Sequence, residues 1–185
     1  MKILIFISSL TGNTKKVALH VAENLKTAGH DIIIEETHPF LKRQASCYET
    51  ELPSSDLILV CFWCRRGSMD DDSLHLLSLF KNQTIGVLGT MGGDPLRPYG
   101  ERVRKNAAAA VSEKNTLAGI FVCQGKIQES RTEKRRKLPK DHIHYLDDES
   151  YERHLASRSH PDAADLAAAK NTVAAWIKER KSEFQ

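Results

Sequence analysis

Two uninterrupted apolar runs, Ile-Leu-Ile-Phe-Ile at 3–7 and Leu-Ile-Leu-Val-Cys-Phe-Trp at 57–63, constrain this chain more than any other feature. A strand with one wet face alternates apolar and polar side chains. A strand without a polar position is covered on both faces, which means a parallel sheet between layers of helix. The intervening sequence supplies the helices. Val17, Ala18, Val21, Ala22 and Leu25 recur at helical spacing, and Gly29 stands where a helix stops.

The alternation continues along the chain. Strands are predicted at 31–35, 56–62, 84–88 and 117–122. Residues 37–55 carry two prolines and no clear period, and read as a loop with room for one short helix. Asp70, Asp71 and Asp72 are candidate caps for a helix carrying Leu74, Leu77 and Phe80. Residues 90–98 form a turn-rich loop, and Val103, Ala107, Ala110 and Val111 mark the next helix. A last helix begins near Pro161 and buries Leu166, Val173, Trp176 and Ile177. Strand and helix thus alternate five times, as in an α/β fold with right-handed crossovers. The polar, basic stretch 123–160 breaks that rhythm and reads as an irregular insertion within one domain, 1–185.

Composition removes several function classes. No apolar run approaches the roughly 18 residues of a membrane span. The run after Lys2 gives way at once to Ser8, Ser9 and Thr11, too soon for a signal peptide, so a cytoplasmic protein is expected. A net charge of +3 makes no case for nucleic acid. Cys47, Cys61, Cys64 and Cys123 do not make a disulfide scaffold. Cys61 and Cys64 have the spacing of a redox pair, but Cys61 falls inside a strand, so a structural thiol and a loop thiol are expected. No second cysteine pair completes a zinc site, and His142, His144, His154 and His160 read as surface residues. No catalytic acid–base or nucleophile set stands out, and none is assigned.

The segment Ser9-Leu10-Thr11-Gly12-Asn13-Thr14 joins the first strand to the first helix. Ligands of parallel sheets bind beyond the carboxyl ends of the strands, where this loop lies. Hydroxyls of Ser9, Thr11 and Thr14 can donate hydrogen bonds, Gly12 lets successive amides converge, and the helix N-terminus adds positive potential. That chemistry suits a phosphate, although a βα turn capped by one hydroxyl needs no ligand. The pattern is neither a Walker A loop nor Gly-x-Gly-x-x-Gly.

The Ser/Thr-x-Thr-Gly-Asn-Thr loop after the first strand resembles the FMN phosphate loop of flavodoxins. The resemblance implies a three-layer αβα sandwich around a doubly wound five-stranded parallel sheet of order 2-1-3-4-5, with FMN at the switch point between the first and third strands. Flavodoxins wall the flavin ring with the loops after the third and fourth strands. By that likeness the cofactor-binding residues include Phe62, Trp63 and Gly67, then Thr90, Met91, Gly92, Gly93, Asp94 and Tyr99, with Met91 or Leu96 as alternatives to Tyr99 for one wall. Phe62-Trp63 with Gly67, Gly89-Thr90-Met91-Gly92, Cys123-Gln124-Gly125-Lys126-Ile127 and His160-Pro161-Asp162 together resemble the subfamily that includes the flavodoxin-like companion of bacterial bilirubin reductase.

The implied role is an FMN flavoprotein that transfers electrons for a partner redox enzyme. A second reading is an NAD(P)H-dependent FMN or quinone reductase, an oxidoreductase in its own right. A third is a binding domain that kept the fold without the flavin, which fold alone does not distinguish. Residues 126–140 add Lys126, Arg131, Lys134, Arg135, Arg136, Lys137 and Lys140 against Glu129 and Glu133. This stretch is either a solvated face or a docking patch for an acidic redox partner or a nucleotide phosphate.

Overall fold

The computed structural model describes residues 1–45, 54–111 and 113–183. Five strands, β1 (Lys2–Ile7), β2 (Asp31–Glu36), β3 (Leu57–Arg65), β5 (Thr84–Met91) and β6 (Thr116–Gln124), form a parallel sheet in the order β2-β1-β3-β5-β6. A sixth, two-residue strand, β4 (Ser68–Met69), pairs antiparallel with the end of β3. The order of the parallel strands is the one expected; β4 was not.

Both faces of the sheet are covered, as the unbroken apolar runs require. Helices α1 (Asn13–Thr27) and α7 (Ala163–Glu183) pack Val17, Val21, Leu25, Val173 and Ile177 against Ile3, Ile5, Leu57 and Leu59. On the other face α2 (Thr37–Ala45), α3 (Asp71–Ser78) and α4 (Pro98–Ala110) pack Phe40, Leu76, Leu77 and Val103 against Leu4, Phe6, Ile58 and Val60. Phe6 meets Phe40 edge to face, with ring centroids 4.7 Å apart.

The short helix allowed for in 37–55 is α2, which opens directly after β2 and buries Phe40 and Leu41; Pro39 is tolerated because it sits in the first turn, where a missing N–H costs no helical bond, and residues 46–53 lie outside the described residues. Besides β4, two further expectations need revision. The stretch 123–160 is not irregular throughout. It holds α5 (Glu129–Arg136), α6 (Asp148–Ala156) and a 3-10 turn (Ser157–Ser159), with Asp147 capping α6 at Ser150 N, 2.7 Å away. These helices are almost wholly polar outside, so no periodic stripe announces them. Second, β3 runs past residue 62 to Arg65 and turns back through Arg66 and Gly67, whose φ values of 53° and 84° suit a two-residue hairpin turn.

Two devices lock the layers. Trp176 of α7 lies across β5 and β6 over two glycines. A Cβ at Gly86 would stand 2.9 Å from its ring and one at Gly119 only 2.3 Å from its indole nitrogen. The second device is Asp70, which is 2% exposed and caps α3. Its Oδ1 accepts from Ser8 Oγ (2.7 Å) and Ser73 N (3.2 Å), and its Oδ2 accepts from Ser73 Oγ (2.8 Å) and Trp63 N (3.3 Å). One carboxylate thereby ties the ends of β1 and β3 to the start of α3.

The thiols divide by face. Cys61 packs with the α1/α7 layer and Cys64 with the opposite one, since their spacing of three places them on opposite sides of β3. Burial drives the Cys61 thiol far above its ordinary pKa, and burial followed by the Asp165 charge pushes Cys123 up to about 12. Cys47 lies outside the described residues.

Gly86→Val should displace Trp176 and cost about 1–3 kcal/mol of stability, read as a lower urea midpoint with altered tryptophan fluorescence. Asp70→Ala should cost about 2–3 kcal/mol by leaving buried donors unpaired, with Asp70→Asn intermediate, measured by the same titration. Iodoacetamide at about pH 8 should alkylate Cys64 of the folded protein well before Cys61 or Cys123, as peptide mass mapping would show.

Candidate cofactor site

The chain leaves β1 at Ile7, and Ser8 is drawn inward by Asp70. Residues 9–12 then arch over the carboxyl edge of the sheet before α1 begins at Asn13. Gly12 is the residue before the helix and has φ +86°, a conformation that glycine adopts without strain. A Cβ there would point into open space, with no atom within 4 Å. Gly12 offers no side chain to cap α1, but Ser9 Oγ accepts from Lys15 N at 3.2 Å. Among the described residues no protein acceptor takes the N–H groups of Leu10, Thr11, Gly12, Asn13 or Thr14. A helix start of this kind is an anion site in waiting: several free amide donors, the positive end of α1 and space beside a glycine.

The hydroxyls take different roles. Thr14 is 2% exposed, and its Oγ1 lies 3.3 Å from the Phe62 carbonyl and 2.8 Å from Thr90 Oγ1. It ties α1 to the ends of β3 and β5. Thr11 Oγ1 accepts from Asn13 Nδ2 at 3.0 Å, and the same amide reaches the Lys126 carbonyl, also at 3.0 Å. Ser9 and Thr11 keep their own O–H groups to donate; Thr11 is exposed and Ser9 half-buried. Leu10 is 68% exposed at the crest of the loop.

The expected walls divide in the same way. Phe62 is wholly buried, with a Cβ at Gly89 only 2.5 Å from its ring, so its side chain belongs to the core and only its carbonyl reaches the site. Met91 is also buried. Trp63, one residue further on β3, is half-buried at the strand end with its amide held by Asp70. Gly67 is the second turn residue, held by Asn106 Nδ2 on its carbonyl (2.8 Å) and covered by the Arg102 guanidinium, 3.0 Å from where a Cβ would stand.

After β5, Gly92 lies against Ile127, and a Cβ at Gly93 would be 3.9 Å from the Tyr99 ring. Asp94 shapes this loop, its Oδ1 accepting from Leu96 N at 2.9 Å. Leu96 is 89% exposed at its tip. Tyr99 stands in the first turn of α4 and remains partly exposed. The Arg102 guanidinium packs 4.7 Å from its ring centroid, and its hydroxyl is 3.8 Å from Cys64 Sγ. Burial, then the neighbouring Cys64, raises the Tyr99 pKa.

The structure therefore gathers the 9–14 loop, Trp63, Thr90 and the 92–99 loop at one edge of the sheet. It adds residues that sequence reasoning missed. Gly125 N donates to the Met91 carbonyl at 2.8 Å, and a Cβ on Gly125 would collide with the Asn13 side chain at 2.8 Å. The turn after β6 is thus a third wall; its residues 123–127 entered the sequence reading only as part of the family likeness and not as part of the site. Cys64 and Arg102 join through tertiary contact with Tyr99 and had no local signal.

This donor set fits a phosphorylated, flat, largely apolar ligand: free amides and hydroxyls at one end, and partly exposed aromatics at the other. Comparison with known proteins points the same way. A family model described as a flavodoxin domain matches residues 4–174. The chain is 31% identical over 169 residues to a flavodoxin-like domain-containing protein, BilS, of Clostridioides difficile, covering 90% of each chain. It is 29% identical over 182 residues to the protein of the same name from Clostridium symbiosum, covering 91% of this chain and 92% of that one. Among solved structures, rubredoxin:oxygen oxidoreductase of Desulfovibrio gigas shares the fold, with a TM-score of 0.50 at 14% identity over 94% of this chain and 37% of that one. No helix among the described residues is long and apolar enough to cross a membrane. With its model matching residues 4–174, the flavodoxin domain family is the one to which this protein belongs.

Proposed function

We propose that the chain binds FMN at the carboxyl edge of its sheet and carries electrons for a separate redox enzyme. The observation that supports this most is the set of free main-chain amides around Gly12, which faces open space in a left-handed conformation. An FMN phosphate would take these amides and the hydroxyls of Ser9 and Thr11 as donors. Trp63 and Tyr99 offer aromatic surface at the two loops that would flank the ring, and the 125–127 turn bounds the site beyond them. When bound, the flavin supplies reversible electron chemistry, and the protein's part is to hold it, orient it and shield one side from water.

In this reading Asp70, Thr14 and Thr90 are positioning residues. Their polar atoms are engaged with one another's elements rather than turned outward. They hold the ends of β1, β3 and β5 in register so that the loops above them converge. Electron transfer of this kind asks no side chain to exchange a proton. The names of the two clostridial relatives attach a flavodoxin-like domain to those proteins, which is consistent with a carrier.

Purified protein should be yellow, and apoprotein should take up FMN with quenching of flavin fluorescence. Riboflavin, which lacks the phosphate, should bind about a hundredfold more weakly or worse, and Gly12→Val should weaken FMN by at least about tenfold. No uptake, or equal affinity for riboflavin and FMN, would overturn the reading. Sustained NAD(P)H oxidation by the protein alone would favour a reductase over a carrier; dependence on an added reductase supports the carrier.

A further inference from the structure

The chain segregates its charge. Residues 126–140 hold seven cations and two acids, whereas the whole chain has a net charge of only +3, so the remainder is net acidic. The structure sorts those seven. Arg136 is turned inward, donating to the Leu146 carbonyl at 2.8 Å and pairing with Asp148 beside the Tyr151 ring. Arg135 is half-buried. Lys126, Arg131, Lys134, Lys137 and Lys140 are exposed, and none forms an ion pair among the described residues. One of the two acids is neutralised from within, Glu129 by Arg158 at 2.7 Å.

These cations are crowded at a cost. Burial and the nearby Arg131 lower the pKa of Arg135, and burial with Arg135, Arg131 and Arg153 lowers that of His154, whose Nδ1 lies 2.9 Å from Thr132 Oγ1. Like charges held together without an internal counterion are relieved by an external anion.

The location is as informative as the charge. The segment starts from the third wall of the candidate site: Asn13 of the phosphate loop holds the Lys126 carbonyl, and Ile127 N donates to Ser157 Oγ at 3.1 Å. A partner seated on this segment would therefore lie next to the candidate cofactor site. A long polyanion such as nucleic acid would meet the net acidic remainder of the chain, whereas a compact acidic patch on a protein would not.

We propose that the exposed cations of α5, Arg131 and Lys134, with Lys126, Lys137 and Lys140 exposed on the chain that flanks it, form the docking surface for an acidic redox protein. This deepens the electron-carrier reading and rests on it. The surface steers encounter by long-range attraction, so its effect appears in association rate and fades with salt.

The probe is a basic c-type cytochrome and the same cytochrome with its lysines succinylated, which makes it acidic. Two readouts separate the proposals. The first is binding of flavin-free protein to each cytochrome, followed by sedimentation, which does not depend on FMN. The second is the rate at which the reduced holoprotein reduces each one. Wild type should bind the succinylated form preferentially and reduce it at least about tenfold faster at about 10 mM than at about 300 mM salt. The triple variant Arg131→Glu, Lys134→Glu, Lys137→Glu, checked for folding by circular dichroism, should reverse the preference without changing FMN affinity. If that variant fails to fold, the glutamine triple variant and the salt profile of the wild type carry the same test.

Preference of the wild type for the basic cytochrome, indifference to charge, or a triple variant that behaves as wild type would overturn the proposal. So would binding to anionic vesicles or duplex DNA without binding to the acidic cytochrome. Binding that is charge-dependent in a protein taking up no FMN would instead remove the carrier reading and leave the surface standing.

Discussion

A single buried carboxylate organises the working edge of this protein. The loops that bind a ligand in a parallel sheet spring from the carboxyl ends of neighbouring strands, and something must hold those ends together if the loops are to converge. Asp70 does this for β1 and β3 by accepting from Ser8 and from the Trp63 amide while capping α3 through Ser73. A buried anion is tolerable only when its lone pairs are filled, and here four donors converge on it. The Thr14–Thr90 contact continues the tie from α1 to β5.

From that fastening the site follows. With Ser8 held inward, the chain must climb over the sheet edge to reach α1, and Gly12 makes the climb in a left-handed conformation. The climb leaves the amides of 10–14 without acceptors among the described residues, so the same geometry that closes the fold leaves a set of donors suited to an anion. Trp63 stands near the end of β3 and Tyr99 in the first turn of α4, and the turn at Gly125 closes on Asn13. The basic segment is built outward from that turn, because α5 begins two residues beyond Ile127.

Much of the fold was legible, for a definite reason. Strands such as 3–7 and 57–62 are buried on both faces, so their sequence contains no polar position to blur the signal. The five parallel strands and α1, α3, α4 and α7 were readable in this way. Helices α5 and α6 were not, because a helix that buries a single threonine, or no residue fully, leaves no apolar stripe in its sequence. The hairpin at 65–68 was missed because continuous apolarity ends at Trp63 while the backbone pairing goes on. Within the site, the loop 9–14 was legible from glycine and hydroxyl chemistry. Phe62 and Met91 were not separable from their exposed neighbours, because strand alternation decides which side chain faces the core only once the strand's end is known.

By itself the sequence determined the layer architecture, the strand order through family likeness, and the place of the glycine-containing 9–14 loop, since these depend on local pattern and on chemistry within a few residues. Only the tertiary structure decided how the hydroxyls are used: Thr14 is buried against the Phe62 carbonyl and Thr90, while Ser9 and Thr11 accept from Lys15 N and Asn13 Nδ2 and keep their O–H groups to donate. It also decided which of seven cations face solvent, turning Arg136 into an internal strut for α6. The physical reason is the same in each case. Hydrogen bonds and ion pairs join residues tens of positions apart, and whether a polar group is satisfied depends on what the fold places beside it, which no local pattern encodes.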